Sequence, residues 1–161
     1  MLGAGGAVAQ DVVTIDSDAD GEAGQPFSFE RLVEDMRAAA GREYEPELIE
    51  DSFLNDLNYD DYRLIRFDPE RARFGEVDNT RFELQAFHMG WLFKAPVHLF
   101  EVADGRAAPM NFDTDDFIYE RESRDKVPEH APLPGVAGFR LHTPLNRPDI
   151  MDELVAFQGA S

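Results

Sequence analysis

The chain has 161 residues, about the length of one domain, and enough apolar material for a core, with 43% hydrophobic residues and 13 Phe. Its formal net charge of −18 argues against a nucleic-acid partner and against anionic membranes, since both are bound by basic surfaces. There is no Cys, which excludes disulfides, thiolate nucleophiles and Cys-bound metal sites.

The first nine residues are small and apolar. Ala7-Val8-Ala9 has the small-x-small form of a signal-peptidase site, with cleavage before Gln10. We therefore predict that residues 1–9 are the remnant of a secretory signal peptide. A Gly/Ala-rich terminus without a targeting role is the alternative.

Residues 10–25 are acidic and poor in large apolar side chains, which predicts a disordered lead. From Asp16 the sequence reads Asp-x-Asp-x-Asp-Gly, like the start of a calcium loop. The twelfth loop position is Phe27 instead of Glu, and no flanking helices are indicated. We expect no metal site here.

The folded part is predicted to span residues 26–161 and to begin with two short helices. Ser28 is a plausible N-cap, and apolar side chains then recur at helical spacing up to Met36, with Gly41 placed as a C-terminal cap. The second, shorter helix is predicted in Pro46–Leu57, where Leu48, Ile49, Phe53 and Leu57 are apolar.

From Tyr59 onward the apolar period changes to that of β-strands. Asp104-Gly105 is a tight-turn signal, and two Pro-containing stretches, 121–135 and 143–149, are predicted loops. The fold class is therefore mainly β, a partial β-sandwich behind the two helices. The predicted strands are Tyr62–Phe67, Arg81–Met89, Pro96–Val102, Asp115–Glu120, Ala137–Thr143 and Glu153–Gln158.

The last predicted strand carries Leu154, Val155 and Phe157, and would form an exposed apolar edge. Natural proteins avoid such edges, and six strands are few for two complete sheets. We therefore expect that the chain is the front part of a longer domain.

No motif assigns a catalytic residue, and we expect no cofactor. The four His residues form neither an HExxH motif nor a close pair, so a zinc site is unsupported. Acidic clusters at 58–62 and 113–117 contain groups suited to acid–base chemistry, but sequence spacing does not show two carboxyl groups facing one substrate.

A set of aromatic and planar polar residues is more informative, because flat aromatic faces and paired hydrogen bonds are what proteins use to bind sugars. Trp91, the single Trp, follows a Gly at a strand end. A core position is the alternative for Trp91, and a buried, hydrogen-bonded state is the alternative for His88. The wider set is Tyr59, Tyr62, Arg66, Gln85, His88, Trp91 and Phe93, from which we select Tyr62, Arg66, His88 and Trp91 as candidate ligand-binding residues.

Residues 27–161 resemble the periplasmic glucan biosynthesis proteins of the MdoG/OpgG and OpgD type. The resemblance rests on LNYDDYRLIRF at 57–67, on FELQAFHMGWLFKAPVHLFEV at 82–102, and on GFRLHTPLNRPD at 138–149 followed by DEL and GAS. It implies a galactose-mutarotase-like β-sandwich that continues beyond GAS. It also implies secretion to the periplasm of a Gram-negative bacterium, and catalytic groups downstream of Ser161.

The resemblance further implies a role in making osmoregulated periplasmic glucans with β-1,2-linked glucose. Its expected partners are a β-glucan oligosaccharide or polysaccharide and the membrane glucan synthase of the same pathway. Three hypotheses stay open. The full-length parent binds and hydrolyses β-1,2-glucan, with this fragment inactive alone; the chain is a non-catalytic carbohydrate-binding or assembly module; or it is a β domain whose charge serves solubility.

Overall fold

The computed structural model describes residues 24–49, 52–77 and 80–159. The predicted signal remnant, the calcium-like loop and the lead up to residue 23 lie outside the described residues. Contacts divide the chain into two units. The smaller contains the described residues up to Tyr44 together with Phe100–Pro109. The larger contains Glu45–Leu99 and the residues from Met110 onward.

The smaller unit is a three-stranded antiparallel sheet with one helix. The strand order is β1 (Gln25–Pro26), β5 (Arg106–Pro109), β4 (Phe100–Ala103). The predicted turn between β4 and β5 is present: Asp104 and Gly105 both have positive φ, 51° and 71°, as a two-residue hairpin loop requires. Gln25, assigned to the lead from sequence, pairs with Ala107 in β1.

The helix of the smaller unit, α1 (Phe29–Ala39), confirms the first helix prediction. The Ser28 hydroxyl accepts a hydrogen bond from the Arg31 amide at 3.2 Å, which satisfies one of the free N–H groups of the first turn. Phe29, Leu32 and Met36 on its apolar stripe remain exposed.

The larger unit contains two antiparallel sheets. One pairs β2 (Ile65–Phe67) with β6 (Phe117–Tyr119); the other has the order β3 (Glu83–Phe87), β7 (Gly138–Thr143), β8 (Asp152–Gln158). Among the described residues of this unit, helical structure is limited to α2 (Tyr59–Tyr62) and four 3-10 turns. The turns are Phe53–Asn55, Pro69–Arg71, Thr114–Asp116 and Arg121–Lys126. The mainly β class is thereby confirmed.

One helix and one strand lie at residues other than those predicted from the sequence. The second helix lies at Tyr59–Tyr62; within the described part of Pro46–Leu57 only Phe53–Asn55 is helical. Side-chain caps at Ser52 and Asn58 start these two short elements separately, so one longer helix does not form. The strand predicted at Pro96–Val102 begins only at Phe100, and β5 carries no strand-like alternation in its sequence.

The core of the larger unit is built from the strands and from the loops between them. Leu133 and Val136 come from the end of the predicted loop 121–135 and its continuation, so this segment packs inward instead of lying on the surface. The buried apolar residues are Leu54, Leu57, Phe67, Leu84, Ala86, Met89, Phe112, Phe117, Leu133, Val136 and Ala137.

An ion pair between Arg73 and Asp116 links the segment that precedes β3 with the segment that precedes β6. The Arg73 guanidinium donates two hydrogen bonds to the buried Asp116 carboxylate, at 3.0 and 2.9 Å. It also donates to the Asn111 carbonyl oxygen and lies 4.6 Å from the Phe112 ring centroid. Asp116 in turn accepts from the Asp113 amide at 3.1 Å. Both charges are therefore satisfied in a fixed geometry.

Strand β8 confirms the predicted exposed apolar strand. Leu154, Val155 and Phe157 are all exposed, and among the described residues no strand pairs with the outer edge of β8. On its inner side β8 runs against β7, where Gly138 has a φ of 146°. A Cβ atom on Gly138 would lie only 2.1 Å from the Phe157 carbonyl oxygen.

We predict that Gly138→Ala destabilises the larger unit, because a methyl group there requires β8 to move away from β7 and because Ala disfavours the positive φ. The expected loss is at least about 2 kcal/mol in the free energy of unfolding, measured by urea denaturation. Gly75→Ala is the control, since its nearest contact would be an ordinary 3.5 Å. Equal losses in the two variants would contradict the close-approach argument.

Candidate functional site

Four aromatic rings, Tyr59, Tyr62, Trp91 and Phe93, form what we call the aromatic cluster. The Trp91 ring centroid lies 5.0 Å from that of Tyr59, 5.9 Å from that of Tyr62 and 6.4 Å from that of Phe93. Tyr62 and Phe93 are 5.5 Å apart. The tilted and edge-on angles are those that aromatic pairs prefer. The structure thus brings together two of the four selected residues, Tyr62 and Trp91.

Helix α2 positions the two tyrosines. The Asn58 side chain accepts from the Asp60 and Asp61 amides, at 2.8 and 3.1 Å, and the Asp61 carboxylate accepts from the Asn58 amide at 3.0 Å. This capping box fixes a single turn of helix, on which Tyr59 and Tyr62, three residues apart, lie on one side. The Asp61 carboxylate also accepts from Lys126 Nζ at 2.7 Å, and this bond lowers the pKa of Asp61.

A tight turn positions Trp91. The amides of Gly90 and Phe93 each donate to the carbonyl oxygen of the other, at 3.0 and 2.8 Å. Trp91 has a φ of 50°, which is unusual for a bulky residue, and its amide donates to the Leu57 carbonyl oxygen at 3.1 Å. Strained backbone of this kind is concentrated at functional sites. The strained turn holds the indole against the tyrosines.

The aromatic cluster lies at the surface without being fully exposed. Tyr59 is 55% exposed, whereas Tyr62, Trp91 and Phe93 are half-buried. Trp91 is therefore neither a fully buried core residue nor a free surface side chain. The Tyr62 hydroxyl accepts from Gln158 Nε2 at 3.1 Å, and burial raises the pKa of Tyr62 to about 12. The hydroxyl consequently keeps its proton at neutral pH.

Arg66 lies on β2, and its exposed guanidinium forms an ion pair with Glu120. Exposed pairs of this kind are weak. The other N–H groups of Arg66 have no partner among the described residues, so they remain able to donate to a ligand.

The structure places His88 in the core, which corresponds to the alternative interpretation made from the sequence. The residue is 4% exposed, and its ring packs edge-to-face with Phe117, at 4.7 Å between centroids. Its Nδ1 contacts the Met89 carbonyl oxygen, which can only accept, so Nδ1 carries the proton and Nε2 accepts from the Tyr119 hydroxyl at 2.9 Å. Burial lowers the pKa of His88 to about 4, and the ring is neutral at pH 7.

The two acidic clusters noted in the sequence are used to hold the fold. Asp61 caps α2 and binds Lys126, and Asp116 caps its own turn and binds Arg73. Asp115 pairs with the exposed His130, and this hydrogen bond lowers the pKa of Asp115 and raises that of His130. Across the described residues, no three His, Asp or Glu side chains are grouped as metal ligands.

The contact between Gln158 and Tyr62 was not found from the sequence. The two residues are 96 positions apart, and neither is part of a motif that indicates the other. Tyr59 and Phe93 were in the wider aromatic set identified from the sequence, but they were not among the four selected residues.

Comparison with known proteins identifies relatives over nearly the whole described chain. Residues 27–161 match the family model described as "Periplasmic glucan biosynthesis protein, MdoG". "Glucans biosynthesis protein G" of Cereibacter sphaeroides is 54% identical over 138 residues, covering 85% of this chain and 25% of the relative. "Glucans biosynthesis protein G" of Rhodopseudomonas palustris CGA009 is 44% identical over 137 residues, 84% of this chain and 26% of the relative.

A third relative carries a different name. "Glucans biosynthesis protein D" of Xanthomonas campestris pv. campestris B100 is 34% identical over 140 residues, 85% of this chain and 25% of the relative. The chain thus spans about a quarter of the length of the curated relatives it matches. Within the described residues, no helix has the length and apolarity needed to cross a membrane.

We predict that His88 makes the stability of the chain depend on pH. The folded state holds it neutral down to about pH 4, whereas in the unfolded chain it gains a proton near its ordinary pKa of 6.5. The free energy of unfolding is therefore unaffected by His88 above about pH 6.5. It falls as the pH is lowered from 6.5 toward 4, by up to about 3 kcal/mol, because only the unfolded chain gains the proton in this range.

The test is urea denaturation between pH 7 and 4 of the wild type and of His88→Gln, which removes the titrating ring. Carboxylates titrate in both proteins, so the difference between the two curves isolates His88. A difference that does not change with pH would show that the ring is not held neutral.

Proposed function

The chain belongs to the periplasmic glucan biosynthesis protein family, and on that premise we propose that it holds a glucan chain in the periplasm during glucan biosynthesis. The aromatic cluster is the proposed contact surface, and β-1,2-linked glucose is the proposed ligand. The observation that carries the proposal is Trp91, whose strained turn keeps a half-buried indole beside the exposed Tyr59.

The chemistry of the cluster suits a sugar ring. The C–H face of a pyranose packs on an aromatic face, and its hydroxyl groups need both donors and acceptors at the edge of the contact. Trp91 and Tyr59 supply the apolar surface. The protonated hydroxyl of Tyr62 supplies a hydrogen-bond donor. Arg66, whose recorded side-chain contact is the ion pair with Glu120, stays a candidate donor that no described contact joins to the cluster.

His88 enters the proposal as a positioning residue. Its Nδ1 donates to the Met89 carbonyl oxygen, directly before the Gly90–Phe93 turn, and its Nε2 is held by Tyr119. These contacts fix the chain that leads into the turn of Trp91. With only 4% of the residue exposed, a direct bond from His88 to a sugar would require the core to open.

Binding without hydrolysis is the activity we propose for this segment. The buried acids of both acidic clusters, Asp61 and Asp116, are engaged in caps and ion pairs and are not free to act on a substrate. Hydrolysis of β-1,2-glucan by the full-length parent is a second candidate, with catalytic groups outside the described residues. Interaction with the membrane glucan synthase stays a prediction.

We predict that Trp91→Ala weakens binding of a β-1,2-linked glucose tetramer about fivefold. The loss of one aromatic–sugar contact is on the order of 1 kcal/mol, by analogy with aromatic pairs. Isothermal titration calorimetry measures the affinity. Leu92→Ala is the matched control, because Leu92 occupies the same turn and is 69% exposed, yet it belongs to no ring contact.

The stability of the variants must be measured beside their affinity. Trp91 is half-buried, so its removal is expected to lower the free energy of unfolding by about 1–3 kcal/mol, less than for a fully buried aromatic residue. Unchanged affinity in folded Trp91→Ala, or an equal loss in Leu92→Ala, would refute the proposed contact surface.

A further inference from the structure

A polar side chain from β8 reaches the aromatic cluster. Gln158, the last residue of β8, donates from Nε2 to the Tyr62 hydroxyl oxygen at 3.1 Å. Of the polar atoms on the four rings, the Tyr62 hydroxyl is the one that has a hydrogen-bond partner among the described residues. The bond joins the outer strand of a sheet to the short helix α2, and it spans 96 positions of the sequence.

The backbone of Gln158 is fixed on both sides. Its register partner on β7 is Gly138, where a Cβ atom would lie only 2.8 Å from the Gln158 Cα atom. Directly after Gln158, the Gly159 amide donates to the carbonyl oxygen of the buried Ala137 at 2.7 Å. The exposed side chain of Gln158 therefore extends from a backbone that is held against β7, and groups on such rigid elements are placed precisely.

Tyr62 approaches the bond from a position that is fixed as well. Its amide donates to the Asn58 carbonyl oxygen at 2.9 Å, within the single turn that the capping box holds. Its half-buried ring contacts Trp91 and Phe93. Because neither end of the hydrogen bond has to reorganise, its direction is set by the fold before any ligand arrives.

The direction of the bond decides which way the hydroxyl proton of Tyr62 points. The amide nitrogen of Gln158 can only donate, so it occupies a lone pair of the phenol oxygen, and the O–H proton is left for another acceptor. We infer that Gln158 is a positioning residue, which turns the Tyr62 proton away from β8 and toward a ligand on the aromatic cluster. A ligand atom beside Tyr62 must then be an acceptor. The inference rests on the proposed function for its ligand, but the direction of the bond does not.

The first test reverses the bond. In Gln158→Glu the new carboxylate can only accept, so Tyr62 must donate its proton to β8 and the ligand loses a donor. We expect binding of the β-1,2-linked glucose tetramer, measured by isothermal titration calorimetry, to weaken about fivefold. Leu154→Glu is the matched control, because it adds the same charge to the same strand at an exposed position outside the cluster. Its affinity should equal that of the wild type.

The second test asks whether Gln158 acts through the hydroxyl. Tyr62→Phe keeps the ring and removes the hydroxyl, so it should weaken binding as much as Gln158→Glu does. Combining the two substitutions should then cause no further loss, because the second has no group left to act on. A further loss in the double variant would show that Gln158 affects binding by another route. That result, or unchanged affinity in Gln158→Glu alone, would overturn the inference.

The third test needs no ligand. Hydrogen exchange of the Gln158 side-chain NH2 group, followed by NMR, should be slowed for one proton in the wild type and fast for both in Tyr62→Phe. Fast exchange in both proteins would show that the amide does not donate to Tyr62, and would overturn the inference even if the tetramer binds. Slowed exchange in a chain that does not bind the tetramer would support the position of the proton and refute the proposed function.

Discussion

The pair between Arg73 and Asp116 is the contact on which the arrangement of the larger unit depends. Burying the Asp116 carboxylate is costly, and the cost is offset because Asp116 also accepts from the Asp113 amide and because the half-buried Arg73 is held by the Asn111 carbonyl oxygen. The pair fixes the start of β6. From there Phe117 packs in the core, Tyr119 reaches His88, and the chain continues from His88 into the turn of Trp91. The aromatic cluster is thus linked to an ion pair elsewhere in the unit.

Elements specified by local chemistry were predictable from the sequence. Ser28 marks the start of α1, and Asp104-Gly105 marks the hairpin turn, because each residue type has one dominant conformational use. β5 was missed because Arg-Ala-Ala-Pro has no alternation, and only its pairing with β4 and β1 makes it a strand. The second helix was predicted at the wrong residues for a related reason. The prediction followed the apolar residues of Pro46–Leu57, whereas the helix begins after the polar cap at Asn58.

The candidate site was predictable in its residue types and not in its geometry. Tyr62 and Trp91 were selected because flat aromatic faces suit sugars, and Trp91 also because it follows a Gly at a strand end; the two rings are in contact. Burial of His88 depends on Phe117 and Tyr119, about 30 residues further along the chain, and no local pattern reports it.

Two carboxylates, Asp61 and Asp116, each close a capping box and also bind a distant cation. Lys126 lies 65 residues from Asp61, and Arg73 lies 43 residues from Asp116. The local bonds can form within a single turn, long before loops of that length close. A carboxylate already oriented by its cap loses less side-chain entropy when the cation arrives. We therefore expect the cap hydrogen bonds to form first during folding. The ion pairs with Lys126 and Arg73 then form on carboxylates that are already oriented.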